Sequence, residues 1–424
     1  MFLESFQVSG FKSLRDVRLD ALKDVNVFHG NNNVGKSNIL QAIDVFFQLL
    51  PIAAQSLPET YDERLLTLSD LLPYTESIFQ NSGEAVISWR VRLRLLTGSY
   101  DLGLHLTRVS NAGGGNGATF ALRWLDEPPV DLLRVELQSS EQDFNLIPAV
   151  RRVSDEWLSD SDRPTDLTSR ARHGSPVEAH NLKRALFDSA YGEDLKQRER
   201  FRRLAQILTQ TFGFSQLDAA LGITRPLPRS SDEAERYARD IVIRFLPGNV
   251  RLEDMGSGVQ QLLLLLGQVL FNPARLVGIE EPEMNLGPDR QGQLARLLHD
   301  LTRTDGGVVD QVFITSHSPS FEEEPFFYDV TYTNGETQVV KLPLDERRKY
   351  FAEATSDAAG EELGPYLNSR GQVTLPQRVI QDLQLTRRQP VFFVKDSDGR
   401  WVLRNKQEVV ELIDQEKRAY EDRD

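Results

Sequence analysis

The eight residues Gly30-Asn31-Asn32-Asn33-Val34-Gly35-Lys36-Ser37 constrain this chain more than any other stretch. They match a phosphate-loop spacing in full, and their flanks are the ones that such a loop requires. Val25-Asn26-Val27-Phe28 reads as a short buried strand before it. From Asn38 to Leu50, Ile39, Leu40, Ile43, Phe46 and Phe47 fall on one helical face. The loop's backbone N–H groups and the helix N-terminus together form an anion nest. The fold class that follows is α/β. The ligand that follows is ATP, with Asn31, Asn32, Asn33, Val34, Gly35 and Asn38 around its phosphates. Lys36 is placed to reach the β- and γ-phosphates, and Ser37 to give its hydroxyl to Mg²⁺.

Three later segments have the same strand-end or helix-start character. Ala274 to Ile279 is an apolar run that ends in Glu280-Glu281-Pro282-Glu283. A buried parallel strand delivers such carboxylates at its C-terminal edge, where ligands bind in open α/β sheets. Glu280 is then expected on Mg²⁺ and Glu281 on the attacking water. Met255-Gly256-Ser257-Gly258-Val259-Gln260-Gln261 opens an apolar helix, Leu262 to Phe271. It reads either as a helix cap, with Ser257 as N-cap, or as a second anion site. A nucleotide held by one subunit's P-loop does not need a second nest from the same subunit. The second reading therefore implies a head-to-tail dimer, with Ser257 and Gly258 closing on the partner's γ-phosphate. Val312 to Ser316 is a strand that ends in His317, where a γ-phosphate sensor belongs in this order of elements.

Around these motifs, Phe2 to Val8 is a strand candidate, and residues 86 to 125 alternate as an antiparallel meander. Arg90, Arg92 and Arg94 fall on one face of the meander, and Val91, Leu93 and Leu95 on the other. Asn111 to Gly117 is a glycine-rich turn. Residues 152 to 245 are polar and read as a helical insertion. The domains expected are an ATPase head over 1–344, a linker over 345–364, a small β-rich domain over 365–408 and a charged tail over 409–424.

There is no cysteine, which excludes disulfides and thiolate chemistry. No apolar run approaches the roughly 20 residues that a bilayer needs, so no membrane partner is expected and the cytoplasm is the expected place. A net charge of −14 argues against the whole surface being a nucleic-acid platform, though not against a local basic face.

Taken in order, Gly30 to Ser37, Met255 to Gln261, Ile279 to Pro288 and Thr315 to Pro319 resemble the ABC-type ATPases of the RecF, SMC and OLD-nuclease group. Val8-Ser9-Gly10-Phe11-Lys12-Ser13-Leu14, the Gly-Asn-Asn-Asn loop, the Glu-Glu-Pro-Glu run and Thr315-Ser316-His317-Ser318-Pro319 look most like the OLD branch. Asn145 to Arg151 looks like that branch's short strand-plus-arginine segment. The resemblance implies an ATPase head with a mixed sheet, an antiparallel meander and a helical insertion. It implies Glu281 as the catalytic carboxylate, His317 as the switch histidine, and Ser257 and Gly258 as the contact made in trans. Two departures stand out. Gly287 occupies a place where the branch often has histidine, and either Gly256 or Ser257 stands at the signature serine's place. OLD nucleases continue into a Toprim nuclease. Here Asp396-Ser397-Asp398 runs into Gly399, which is a hairpin signal, and no nuclease is expected.

The last segment, Tyr366 to about Lys406, resembles the AbrB-type swapped-hairpin domain. Its strand Ser369 to Pro376 is followed by a helical stretch from Gln377 to Leu383 and a hairpin built on Val391 to Val394 and Arg400 to Leu403. Eight basic residues against three acidic give +5 over 366–406, which suits phosphate contact. Arg370, Arg387 and Arg388 are the candidate DNA-binding residues, and pure dimerisation is the competing reading. The partners implied are a second copy or a higher homo-oligomer, DNA, and a separately encoded nuclease or toxin effector in anti-phage defence, the last by analogy of fold. The alternatives are a nucleotide-switched transcriptional regulator or antitoxin-like protein and, third, a transporter ATPase.

Overall fold

The computed structural model describes residues 1–54, 64–67, 76–79, 86–109, 119–126, 133, 142–149, 186, 189–190, 193–212, 219–226, 237–245, 248–251, 255–271, 274–302, 308–321, 326–343, 366–367, 373–374, 391–395 and 401–405. It divides into two compact units, Met1–Leu344 and Asp345–Asp424.

In chain order the first unit opens with β1 (Phe2–Phe11), β2 (Leu14–Leu19), β3 (Val25–His29) and α1 (Lys36–Ala54). Then come β4 (Arg64–Thr67), β5 (Val86–Leu95), β6 (Gly98–Val109), β7 (Thr119–Trp124), β8 (Gln142–Ile147) and α2 (Leu195–Gln210). After these run β9 (Ala219–Pro226), β10 (Tyr237–Phe245), β11 (Gly248–Arg251), α3 (Ser257–Phe271), β12 (Ala274–Glu280) and α4 (Pro288–Leu301). The unit closes with β13 (Gln311–Ser316), β14 (Phe327–Thr333) and β15 (Glu336–Lys341).

Two six-stranded sheets dominate. One is mixed, in the order β15-β14-β3-β13-β12-β8, with every neighbouring pair parallel except β14–β15. The other is antiparallel, in the order β2-β1-β5-β6-β7-β4. Helix α1 lies between them and touches β8, β12 and β13 of the first sheet and β1 and β7 of the second. That position explains its composition. Ile39, Leu40, Ile43, Phe46, Phe47, Leu49 and Leu50 are all buried, so apolar side chains cover more than one stripe of the helix. The fully buried Trp89 of β5 donates its indole N–H to the Ala42 carbonyl at 3.1 Å, giving its polar edge a partner within the core. By length and composition α1 would pass for a membrane span, but it is a core helix of this unit.

Strand β5 buries Val91, Leu93 and Leu95 and exposes Arg90, Arg92 and Arg94, as its alternation predicts. The helix after the phosphate loop begins at Lys36 and continues past Pro51 to Ala54, beyond the Asn38 to Leu50 stretch read from the sequence.

The expected helical insertion over 152–245 needs correction. Leu195–Gln210 is a helix, capped by Asp194 accepting from the Lys196 N–H at 2.8 Å. Ala219–Pro226 and Tyr237–Phe245, however, are strands, which join Gly248–Arg251 in a three-stranded antiparallel sheet. The β-branched run Ile241-Val242-Ile243 carries the strand preference. Interspersed Arg and Asp residues made the segment look like polar helix.

In the second unit, β16 (Tyr366–Leu367) pairs with β17 (Val373–Thr374), and β18 (Val391–Lys395) pairs antiparallel with β19 (Trp401–Asn405). The expected turn at Asn111–Gly117, the linker 345–364, the helical stretch Gln377–Leu383, the Asp396–Gly399 turn, Arg151 and the tail 409–424 lie outside the described residues.

Candidate nucleotide site

Four parallel strands of the mixed sheet end side by side. In register, Phe28 lies opposite Thr315, His29 opposite Ser316, and Glu280 opposite Thr315. The C-terminal edge therefore gathers the start of the phosphate loop, the acidic run, the Ser316-His317 turn and the Pro148-Ala149 end of β8. The chain leaves the sheet here from strands buried on both faces, so backbone groups and side chains at this edge are left for a ligand.

The loop is held from outside as well as by its own turns. Asn33 has φ 63°, and Gly35 has φ 100°. A Cβ on Gly35 would lie 2.1 Å from Thr337 Oγ1, so this position needs glycine on both counts. Thr337, on β15, donates its hydroxyl to the Val34 carbonyl at 2.9 Å and shares a 2.6 Å hydrogen bond with Ser13. The Ser13 hydroxyl accepts from Asn38 Nδ2 at 2.8 Å. Lys36 is largely buried and donates to the carbonyls of Gly30 and Asn31, both at 2.8 Å. Burial lowers its pKa, and the carboxylates of Glu281 and Glu283 pull it back up.

A cavity of about 510 Å³ is lined by Asn32, Asn33, Gly35, Lys36, Ser37, Asn38 and Glu281. Loop residues and an acid far along the chain thus share one space. Glu281 has φ 41° and donates its backbone N–H to the Thr315 carbonyl at 2.9 Å, a kink that sets its direction apart from β12. Glu280 does not line this cavity, and its Oε2 accepts from the Ala149 N–H at 3.3 Å. Asn31, Val34 and His317 are likewise not among the lining residues.

His317 is about half exposed, with its backbone N–H 3.0 Å and its Nδ1 3.5 Å from Glu283 Oε1. Ser257 and Gly258 start α3 away from the cavity. Gly256, rather than Ser257, takes the cap position, because its carbonyl accepts from the Val259 and Gln260 N–H groups at 2.9 and 3.2 Å. A Cβ on Gly258 would come within 2.6 Å of the Asn285 carbonyl, so glycine allows the start of α3 to approach the turn after the acidic run. Arg370, Arg387 and Arg388 lie outside the described residues.

Sequence reading passed over three participants. Glu283 stood within the acidic run without a role. Thr337 lies too far along the chain to be linked to Val34 by any motif. His29, next to Gly30, is buried and stacked on Phe327 with ring centroids 5.3 Å apart. Burial drives its pKa down to about 4, with the nearby charges of Lys36 and His317 adding to the effect and a backbone hydrogen bond with His317 opposing it.

The sequence profile of the AAA ATPase domain family matches residues 1–81 and 176–321, more than half of the chain. No curated protein matches at a significant level. Among solved structures, the chain is similar to an SMC head domain from Thermotoga maritima, at 16% identity and a TM-score of 0.44, covering 81% of this chain and 99% of that one. It is also similar to an SMC head domain bound to the C-terminal domain of ScpA, derived from Pyrococcus furiosus, at 14% identity and a TM-score of 0.43, covering 84% and 99%.

Proposed function

The chain belongs to the AAA ATPase domain family and is an ATPase; from that premise we propose that it is an ABC-type enzyme whose heads close as a dimer around ATP and Mg²⁺ and open on hydrolysis. The observation that carries this reading is the single cavity holding Lys36, Ser37 and Glu281 together. Lys36 and the loop N–H groups bind the β- and γ-phosphates. Ser37 and Glu280 would hold Mg²⁺, which would supply positive charge against the charge that develops on the phosphates. Glu281, at the cavity wall, takes the proton of the attacking water. His317 senses the γ-phosphate.

Ser257 and Gly258, at the start of α3, are read as acting on the partner's nucleotide, as the family resemblance implies. The decisive experiment is light scattering of Glu281→Gln with and without Mg²⁺-ATP. The variant should bind ATP, fail to turn it over and accumulate as a dimer. A variant that hydrolyses ATP at the wild-type rate, or stays equally monomeric with and without ATP, would sink the corresponding half of the reading.

The output proposed is a DNA transaction, with the AbrB-like segment adding DNA contact or dimerisation. The local +5 over 366–406 in a chain of net charge −14 supports it. The OLD-like motifs support anti-phage defence with a separately encoded effector as the setting. If the tail contacts phosphates, the full chain's affinity for duplex DNA should fall steeply with salt. Changing Arg370, Arg387 and Arg388 to alanine should flatten that dependence.

A further inference from the structure

We propose that Glu283 is the positioning residue for His317: it fixes the turn after β13 and the imidazole from the neighbouring strand end. This rests on the reading of His317 as the phosphate sensor and adds a residue to which that reading gives no role.

Glu283 is 2% exposed and sits two residues beyond Glu281, past Pro282. A carboxylate so buried requires a structural or chemical partner, because an uncompensated charge away from water is costly. All of its hydrogen bonds among the described residues converge on one turn. Oε1 accepts from the Ser316 hydroxyl at 2.6 Å and from the His317 backbone N–H at 3.0 Å, and lies 3.5 Å from His317 Nδ1. Oε2 is buried and has no hydrogen-bond partner among the described residues. Among the described residues the carboxylate's hydrogen bonds are therefore all made to the histidine turn, while its charge also acts on Lys36.

The turn is closed from its other side. Ser316 Oγ accepts from the Ser318 N–H at 2.9 Å, and Ser318 Oγ donates to Gln291 Oε1 on α4 at 2.7 Å. Gln291 Nε2 returns to the Leu286 carbonyl at 2.8 Å. Residues 316 to 318 are thus tied at one end to the acidic run and at the other to the helix that follows it. His317 is the exposed side chain in this closed ring. With Nδ1 turned to Glu283, Nε2 is the ring nitrogen left to meet a ligand. At 3.5 Å the carboxylate acts on the ring through its charge rather than through a hydrogen bond, and that charge favours the proton on Nδ1 and the ring orientation that presents it.

A merely structural Glu283 would damage the fold; a positioning one acts through His317. The experiment uses the full chain and compares wild type, His317→Ala, Glu283→Ala, Glu283→Gln and the Glu283→Ala/His317→Ala double variant. The readouts are steady-state Mg²⁺-ATP hydrolysis, thermal melting and the ring-nitrogen spectrum of ¹⁵N-histidine-labelled protein. Both alanine variants should lower kcat by about tenfold or more, with KM for ATP within about twofold. The double variant should be no slower than His317→Ala alone. Glu283→Gln, which keeps an oxygen acceptor for Ser316 and the His317 N–H, should recover part of the rate. The spectrum should show His317 in one tautomer in wild type and averaged in Glu283→Ala, with His105 of the antiparallel sheet unchanged as an internal reference.

Effects that multiply in the double variant, or a His317 signal identical in both proteins, would overturn the proposal. If Glu283→Ala fails to fold, Glu283→Gln decides by the same spectrum. If His317→Ala leaves kcat intact, the sensor reading falls instead, and the tautomer measurement still judges Glu283.

Discussion

The mixed sheet and the antiparallel sheet enclose the same helix but expose themselves to water differently. In the mixed sheet, β3 and β13 are buried at every residue, and their polar side chains, Asn26, His29, Gln311, Thr315 and Ser316, are buried along with the apolar ones. In the antiparallel sheet, β5 alternates strictly, and one face carries Arg90, Arg92 and Arg94 to solvent. A sheet covered on both faces has only its strand ends available for chemistry. Those ends hold the phosphate loop, Glu280, Glu281 and His317. A sheet with one wet face offers charge over an area, without a cavity of comparable definition. Substitutions at the strand ends should therefore change rates or stability sharply, and substitutions on the wet face should change little.

The largest expected effect belongs to Glu281. Glu281→Gln keeps the size of the side chain and removes the proposed proton acceptor, so ATP turnover should fall by about 10²–10⁴-fold while ATP binding persists. Lys36→Ala should instead weaken nucleotide binding itself, because it removes the cation proposed to reach the phosphates. Equilibrium binding of a fluorescent ATP analogue, measured beside turnover, separates the two.

The next effect is in stability and has a defined pH window. The folded-state pKa of His29 is about 4, below the ordinary histidine value of 6.5. Between those values the unfolded chain takes up a proton that the native state refuses, so stability rises with pH across the window. The full difference corresponds to about 3 kcal/mol lost as pH falls from above 6.5 to about 4. Denaturant melts at pH 5 and pH 7 should show this loss in wild type and a smaller one in His29→Gln. An equal pH dependence in both proteins would show that His29 is solvated in the native state.

Thr337→Val should follow. It leaves the Val34 carbonyl and the Ser13 hydroxyl without the Thr337 hydroxyl at the back of the phosphate loop. The expected cost is about 1–3 kcal/mol. KM for ATP should rise as the loop loosens. A variant with unchanged melting and unchanged KM would mean that the loop holds its shape without β15.

These residues also show what a sequence makes legible. The phosphate loop, the strand-terminal acids and the arginine alternation of β5 could be read because each depends on local spacing: a turn, a strand end, a period of two. Thr337 and Ser13 could not, because their contact joins residues 324 positions apart, and no local pattern encodes that pairing. Glu283 was visible as a letter in an acidic run, but its role depends on which strand lies beside β12, a matter of sheet order. The strands Ala219–Pro226 and Tyr237–Phe245 do not declare themselves in the sequence: alanine and glycine open the first, and Arg239, Asp240 and Arg244 flank the β-branched run of the second, so only their pairing resolves them.

The smallest effect tests the other side of the comparison. Arg92 on the wet face lies 3.4 Å from Glu4 and 3.3 Å from Asp101, and about half of its side chain is exposed. Water screens such pairs, and holding two long side chains in one geometry costs entropy. Arg92→Ala should therefore cost less than about 1 kcal/mol, and raising the salt should shrink even that. ATP turnover should be unchanged, since the arginine belongs to the sheet that supplies no residue to the nucleotide cavity. Melting curves at low and high salt, taken with the ATPase rate, check both statements together. A loss of several kcal/mol, or a fall in turnover without one, would mean that the open face is coupled to the strand ends through α1, and that the two sheets are not as separate in function as their burial suggests.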